Sequence, residues 1–122
     1  MKWSIIGCGN ISKRFCEDIS NVKDTNIIAI ASKNSEKLKL FGDKYKVPKE
    51  KRFHEYENIL DIDFDIAYIG LINSLHKKVI KILAAKSRNI IVEKPCFLNF
   101  KDFKDCEDLI KKKNILFVES MM

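Results

Sequence analysis

Short runs of Ile, Val and Ala that alternate with stretches of helical spacing constrain this chain more than any other feature. Trp3 to Ile6 is apolar and stops at Gly7, as expected of a buried strand entering a tight turn. From Asn10 the apolar positions fall at Ile11, Phe15 and Ile19, with Lys13, Arg14, Glu17 and Asp18 turned away, which is the pattern of an amphipathic helix. Asn26 to Ala31 is β-branched and too short for a helix, and Ser35 to Lys46 then puts Leu38, Phe41 and Tyr45 on one face. Val47-Pro48 stops that helix, Phe53 marks a short strand, and Tyr56 to Leu60 reads as one or two helical turns. Asp65 to Ile72 is the next strand. Leu75, Val79, Ile82 and Leu83 form a helix face ending near Lys86, and Asn89 to Glu93 is again a strand. Asn99 can cap a last helix with Asp102 and Asp105 in its first turns and Lys111, Lys112 and Lys113 in its last, matching the macrodipole at both ends. Ile115 to Glu119 closes the series.

Nearly continuous apolar strands separated by helices of this length predict an α/β fold with a doubly wound parallel sheet covered on both faces. The 122 residues, 46% of them hydrophobic, suffice for one core and show no repeat, low-complexity tract or internal boundary, so 1–122 reads as one domain. The net charge of +6 favours anionic ligands, but 20 of the 23 basic residues are lysines scattered along the chain, which speaks against a nucleic-acid interface. No apolar run approaches the ~18 residues of a membrane span, and no leader pattern opens the chain; the expectation is a cytoplasmic protein without membrane contact. Cys8, Cys16, Cys96 and Cys106 lack C-x-x-C spacing, and with only His54 and His76 beside them they read as reduced structural thiols, not as metal ligands.

Gly7-Cys8-Gly9-Asn10-Ile11-Ser12 follows the first strand and opens the first helix, the context that gives a glycine-rich turn meaning. Gly7 lets the backbone turn sharply. Gly9 has no side chain to hold a pyrophosphate away from the helix amides, which begin at Asn10 and Ile11. Ser12 occupies the third position, where Gly or Ala is usual, and is small enough for helix and strand to approach. Sites of this type carry an acid near the end of the second strand, but this chain reads Ala31-Ser32-Lys33-Asn34 there. Ser32 can hydrogen-bond a ribose, and Lys33 supplies a positive charge suited to a 2′-phosphate, so NADP is favoured over NAD. The competing reading makes Lys33 one more solvated lysine.

Trp3-Ser4-Ile5-Ile6-Gly7-Cys8-Gly9-Asn10-Ile11, Ala31-Ser32-Lys33, Asn73-Ser74-Leu75-His76 and Glu93-Lys94-Pro95, in that order, resemble the N-terminal half of the glucose-fructose oxidoreductase/inositol dehydrogenase (Gfo/Idh/MocA) family of NAD(P)-dependent enzymes. The resemblance implies a two-domain enzyme of roughly 300 to 400 residues whose Rossmann domain comes first, with a second α/β substrate domain absent from this chain. It gives Lys94 a catalytic place near the nicotinamide ribose and the reacting carbon, and makes Pro95 the residue that shapes the turn. Asn73, His76 and Glu93 then border the cofactor with Gly7, Gly9, Asn10, Ile11, Ser32, Lys33 and Lys94, although Leu71-Ile72 stands where the family more often has Thr-Pro. In the family the base that takes the hydroxyl proton comes from the C-terminal domain, commonly as a histidine in an Asp-x-x-x-His pattern.

The expected function is therefore cofactor binding for an oxidoreductase acting on a sugar, cyclitol or dihydrodiol, homo-oligomeric when whole. The chain would be cut from its catalytic partner by design or ended by an interrupted reading frame. The alternative is a stand-alone dinucleotide-binding or sensing module without catalysis. A domain that has lost its partner should also expose apolar surface around Phe97, Phe117 and Met121-Met122.

Overall fold

The computed structural model describes residues 1–120. Six strands, β1 (Lys2–Ile6), β2 (Asn26–Ala31), β3 (Arg52–Phe53), β4 (Ile66–Ile69), β5 (Asn89–Glu93) and β6 (Phe117–Ser120), form one sheet in the order β3-β2-β1-β4-β5-β6. Every pair in it is parallel. Helices α1 (Asn10–Ile19), α2 (Ser35–Lys44), α3 (Asn73–Ala85) and α4 (Phe100–Lys112) make the crossovers. The doubly wound parallel sheet read from the sequence is the observed fold. Its order runs outward in opposite directions from β1 and from β4, which opens a crevice at the C-terminal ends of those two strands.

Alternation along the strands divides the core into two layers. Trp3, Ile5, Ile30 and Tyr68 face α1 and α2, where Cys16, Leu38 and Phe41 meet them. Ile6, Ile69, Ile90 and Val92 face the other way, against Val79, Ile80 and Leu83 of α3 and Cys106 of α4. The α1 stripe is the one pattern that shifts: its buried centre is Ser12 and Cys16, Phe15 and Ile19 pack at its flank, and Ile11 is 39% exposed. Small residues occupy the line of closest approach to the sheet because the helix lies almost on the strands there.

Strand ends differ from the sequence reading where side chains intervene. β4 is shorter than Asp65 to Ile72: the last bond of its pairing with β1 runs from the Gly70 amide to the Ile6 carbonyl at 2.9 Å, and past it the Leu71 carbonyl oxygen faces His76 Nε2 at 3.0 Å. The segment 56–61 is a 3₁₀ turn that buries Tyr56 and Ile59 beneath the sheet edge. Asn34 and Asn99 cap α2 and α4, accepting from the amides of Lys37 at 3.0 Å and Asp102 at 2.9 Å.

The apolar surface lies beside the positions expected of it. Phe97 and Phe117 are half-buried and stacked at 6.2 Å, whereas Leu98, Phe100, Leu116 and Val118 are exposed around them. Met121 and Met122 lie outside the described residues. Among the described residues no helix is long and apolar enough to cross a membrane.

Candidate functional site: the crevice between β1 and β4

The turn after β1 is shaped by one glycine and left open by another. Gly7 sits at φ +95°, a conformation that L side chains rarely adopt, and its amide donates to the Ala31 carbonyl at 2.8 Å. A Cβ there would run into the Gly70 backbone and come within 2.8 Å of the Leu71 side chain. Gly9 has φ −88°, which any residue tolerates, and a Cβ on it would meet nothing within 4 Å. Gly9 is also the N-cap of α1, so no side chain caps this helix, and no acidic residue stands in its first turn. The amides of Asn10, Ile11 and Ser12 therefore front an open cradle at the positive end of α1. The pyrophosphate of a dinucleotide fits there by charge, by donor supply and by space.

The third position of the glycine pattern is settled by a partner across the sheet. Ser12 is fully buried and its hydroxyl has no hydrogen-bond partner, while a Cβ on Gly70 would strike that same hydroxyl. The close helix-to-strand contact that a third glycine usually allows is obtained here by a serine on α1 facing a glycine after β4. Gly70 was not singled out by sequence; its only local signal is a glycine directly after the Ile66–Ile69 run.

Ser32 and Lys33 end up at the C-terminal end of β2, where the ribose of an adenosine would lie. Ser32 is buried, its amide donates to the Phe53 carbonyl at 2.9 Å, and its hydroxyl oxygen accepts from the Asn34 amide at 3.1 Å, leaving the O–H to donate. Lys33 is not simply solvated: its Nζ lies 2.5 Å from Glu55 Oε2 and 5.1 Å from the centre of the Tyr56 ring. Glu55 escaped the sequence reading, because nothing local ties a residue past β3 to the end of β2.

On the other side of the crevice, His76 joins two turns. It is fully buried, with Nδ1 3.0 Å from the Pro95 carbonyl oxygen and Nε2 3.0 Å from the Leu71 carbonyl oxygen. The ring thus sits between the turn after β4 and the turn after β5, its tautomer deciding which of the two carbonyls receives an N–H, with neither nitrogen left to face the crevice. Asn73 opens α3, and its side chain lies outside the described residues. Helix α3 has no side-chain cap and no acid in its first turn either, so a second positive helix end points at the ends of the strands.

Glu93 is buried at the end of β5 and accepts a hydrogen bond from the Tyr68 hydroxyl. Tyr68 is held in turn by Phe15, stacked on it at 3.9 Å. Burial and the neighbouring Glu93 carboxylate push the Tyr68 phenol well above its ordinary range. Lys94 follows Glu93, is exposed, and is joined to Pro95 by a cis peptide bond. The Cys96 amide donates to Glu119 Oε2 at 2.8 Å; this bond, aided by Lys94, holds the Glu119 carboxyl below its usual range. Removing the Tyr68 hydroxyl leaves a buried carboxylate oxygen without that donor, so Tyr68→Phe should cost about 1 to 3 kcal/mol of stability in denaturant unfolding at neutral pH. An unchanged midpoint would show that Glu93 does not depend on it.

The four cysteines are unpaired. Burial pushes the Cys8, Cys16 and Cys96 thiols up to about 12, which leaves almost no thiolate at neutral pH. Cys8 in the glycine turn is buried, with its Sγ 3.9 Å from the Ala31 carbonyl oxygen.

Known proteins resemble this chain in sequence and fold. The chain is 30% identical over 122 residues to trans-1,2-dihydrobenzene-1,2-diol dehydrogenase of Xenopus tropicalis, covering 98% of this chain and 36% of that protein. It is 25% identical over 122 residues to scyllo-inositol 2-dehydrogenase (NADP+) of Bacillus subtilis, covering 99% and 37%. Among solved structures, an oxidoreductase from Agrobacterium radiobacter in complex with NAD+, L-tartaric acid and magnesium superposes with a TM-score of 0.90 at 25% identity, over 98% of this chain and 34% of that one. The Synechocystis biliverdin reductase in complex with biliverdin and NADP+ has the same fold, with a TM-score of 0.88 at 18% identity, over 98% and 37%. The chain thus spans little more than a third of the length of the curated relatives it matches. A family model described as an oxidoreductase family with an NAD-binding Rossmann fold matches residues 1–120. Since that match runs through all six strands and both glycines of the turn, the chain belongs to the Gfo/Idh/MocA oxidoreductase family, as its NAD(P)-binding Rossmann domain.

Proposed function

We propose that this chain is the cofactor-binding part of an oxidoreductase that moves a hydride between NADP, in preference to NAD, and a sugar, cyclitol or dihydrodiol. The observation that carries the reading is the open cradle at Gly9 over the uncapped start of α1, beside the point where strand order reverses. The nicotinamide, when bound, supplies the hydride chemistry; the protein supplies binding and orientation. Asn10 and Ile11 present amides to the pyrophosphate, Ser32 and Lys33 receive the adenosine ribose and its 2′-phosphate, and Lys94 stands by the nicotinamide ribose and the substrate oxygen. His76 acts through the turns it joins, and Glu93 sets where Lys94 begins. The base that removes the hydroxyl proton is assigned to a second domain, and the relatives' greater length supports that assignment. A dinucleotide-sensing module without catalysis is the alternative.

Calorimetric titration of the chain with NADP(H) and NAD(H) tests the reading. NADP(H) should bind about five- to tenfold more tightly, as one charge-assisted contact to a 2′-phosphate provides, and Lys33→Ala should bring the two together. Equal affinities in the wild type, or a preference for NAD(H) that survives Lys33→Ala, would remove the phosphate role of Lys33.

A further inference from the structure

We propose that Glu55 sets the cofactor preference of this site, competing with a ribose 2′-phosphate for Lys33 and serving a free ribose as the acid that β2 lacks. The inference rests on the dinucleotide reading above and goes past it by assigning the preference to a residue outside the glycine turn and outside β2.

Three observations bring Glu55 to the ribose position. The Ser32 amide bonds the Phe53 carbonyl, so the ends of β2 and β3 lie side by side, and Glu55 follows two residues past that contact. Its Oε2 is 2.5 Å from Lys33 Nζ, an ion pair between residues 22 apart in sequence. Lys33 also lies over the Tyr56 ring at 5.1 Å, so its ammonium is held on the β3 side of the crevice mouth instead of sweeping freely through solvent. The pair holds the Glu55 carboxyl below its ordinary range and the Lys33 ammonium above its own, so both are charged at neutral pH.

Such a pair meets the two cofactors differently. A 2′-phosphate brings nearly two negative charges to Lys33 and must displace or tolerate the carboxylate already there. Like charges close together repel, and Lys33 already has a carboxylate partner. A free 2′-hydroxyl can donate to the same carboxylate, the contact that an acid at the end of the second strand makes in NAD-binding sites. Glu55 thereby limits the advantage that Lys33 gives NADP. With the two side chains 49% and 59% exposed, solvent screens the pair, and the effect is one of ratio and not of all-or-none selection.

The experiment compares wild type, Glu55→Gln, Lys33→Ala, the double variant and Asp63→Asn by calorimetry, with NADP+, NAD+, adenosine 2′,5′-bisphosphate and AMP as ligands. Asp63→Asn makes the same charge change at the opposite end of the sheet, where Asp63 pairs with Lys2 at the start of β1. Glu55→Gln should tighten NADP+ and the bisphosphate about three- to tenfold, while NAD+ and AMP stay level or weaken. The gain should vanish in the Lys33→Ala background and be absent from Asp63→Asn. A ratio that Glu55→Gln leaves within twofold of wild type, or that Asp63→Asn shifts equally, overturns the inference while leaving dinucleotide binding in place. Failure of the wild type to bind any of the four ligands would instead overturn the reading of the site, and the inference with it.

Discussion

Gly9→Val should abolish dinucleotide binding, lowering affinity at least about 100-fold, in a chain that remains folded. The expectation comes from what surrounds that one backbone position. Gly9 has an ordinary negative φ, and a Cβ on it would meet no protein atom within 4 Å, so a side chain there strains nothing. It fills only the space in front of the α1 amides, which a pyrophosphate would need. Circular dichroism and thermal unfolding should match the wild type to within the small change that an N-cap substitution brings. Gly7→Ala is the opposite case. At φ +95° and against the Gly70 backbone, even a methyl group forces the β1 and β4 turns apart, at a cost of about 2 to 4 kcal/mol and a Tm lower by of order 10 °C. Two glycines one residue apart thus separate binding from folding. Normal dinucleotide affinity in Gly9→Val would make the turn purely architectural and end the cofactor reading.

In a protein that carries this domain together with the rest of the relatives' length, Lys94→Ala should lower kcat by about 10²- to 10⁴-fold while changing cofactor affinity little. Lys94 is exposed just past the end of β5, directly after a glutamate that is buried and bonded to Tyr68, and before a proline whose carbonyl oxygen lies 3.0 Å from His76 Nδ1. Its backbone is therefore held from both sides, and the ammonium starts from a set point. In the proposed role the cation would act where charge develops on the substrate oxygen, which would be felt in kcat and not in cofactor binding. The 122-residue chain alone should show no appreciable polyol oxidation with NADP saturating, because the proposed function assigns the base for the hydroxyl proton, and the second wall that excludes water, to the rest of the relatives' length. A coupled absorbance assay reads both expectations. Full activity in Lys94→Ala would take the lysine out of the chemistry, and robust turnover by the short chain would overturn the two-domain reading.

Residues close in sequence determined the elements, the glycine turn and the class of fold. The period of Ile11, Phe15 and Ile19, the unbroken run from Trp3 to Ile6 and the Asn99 cap are local facts, and local facts suffice for helices, strands and caps. Even so, α1 turned out to bury Ser12 and Cys16 more deeply than the stripe that announced it, because how near a helix may lie to a sheet depends on what the sheet presents. Gly70 is what it presents, and only folding brings residue 70 to residue 12. The same holds for three contacts that shape the site beyond the turn: Lys33 with Glu55, Tyr68 with Glu93, and His76 with Pro95 are separated by 22, 25 and 19 residues. Each joins the ends of neighbouring strands, or the turns that follow them, so each was decided by strand order and register. Side-chain periodicity tells which face of a strand is buried but not which strand lies beside it. The open turn at Gly9 was legible because a glycine's missing side chain is a property of one position, whereas the pairing of Lys33 with Glu55 is a property of two strands packed side by side.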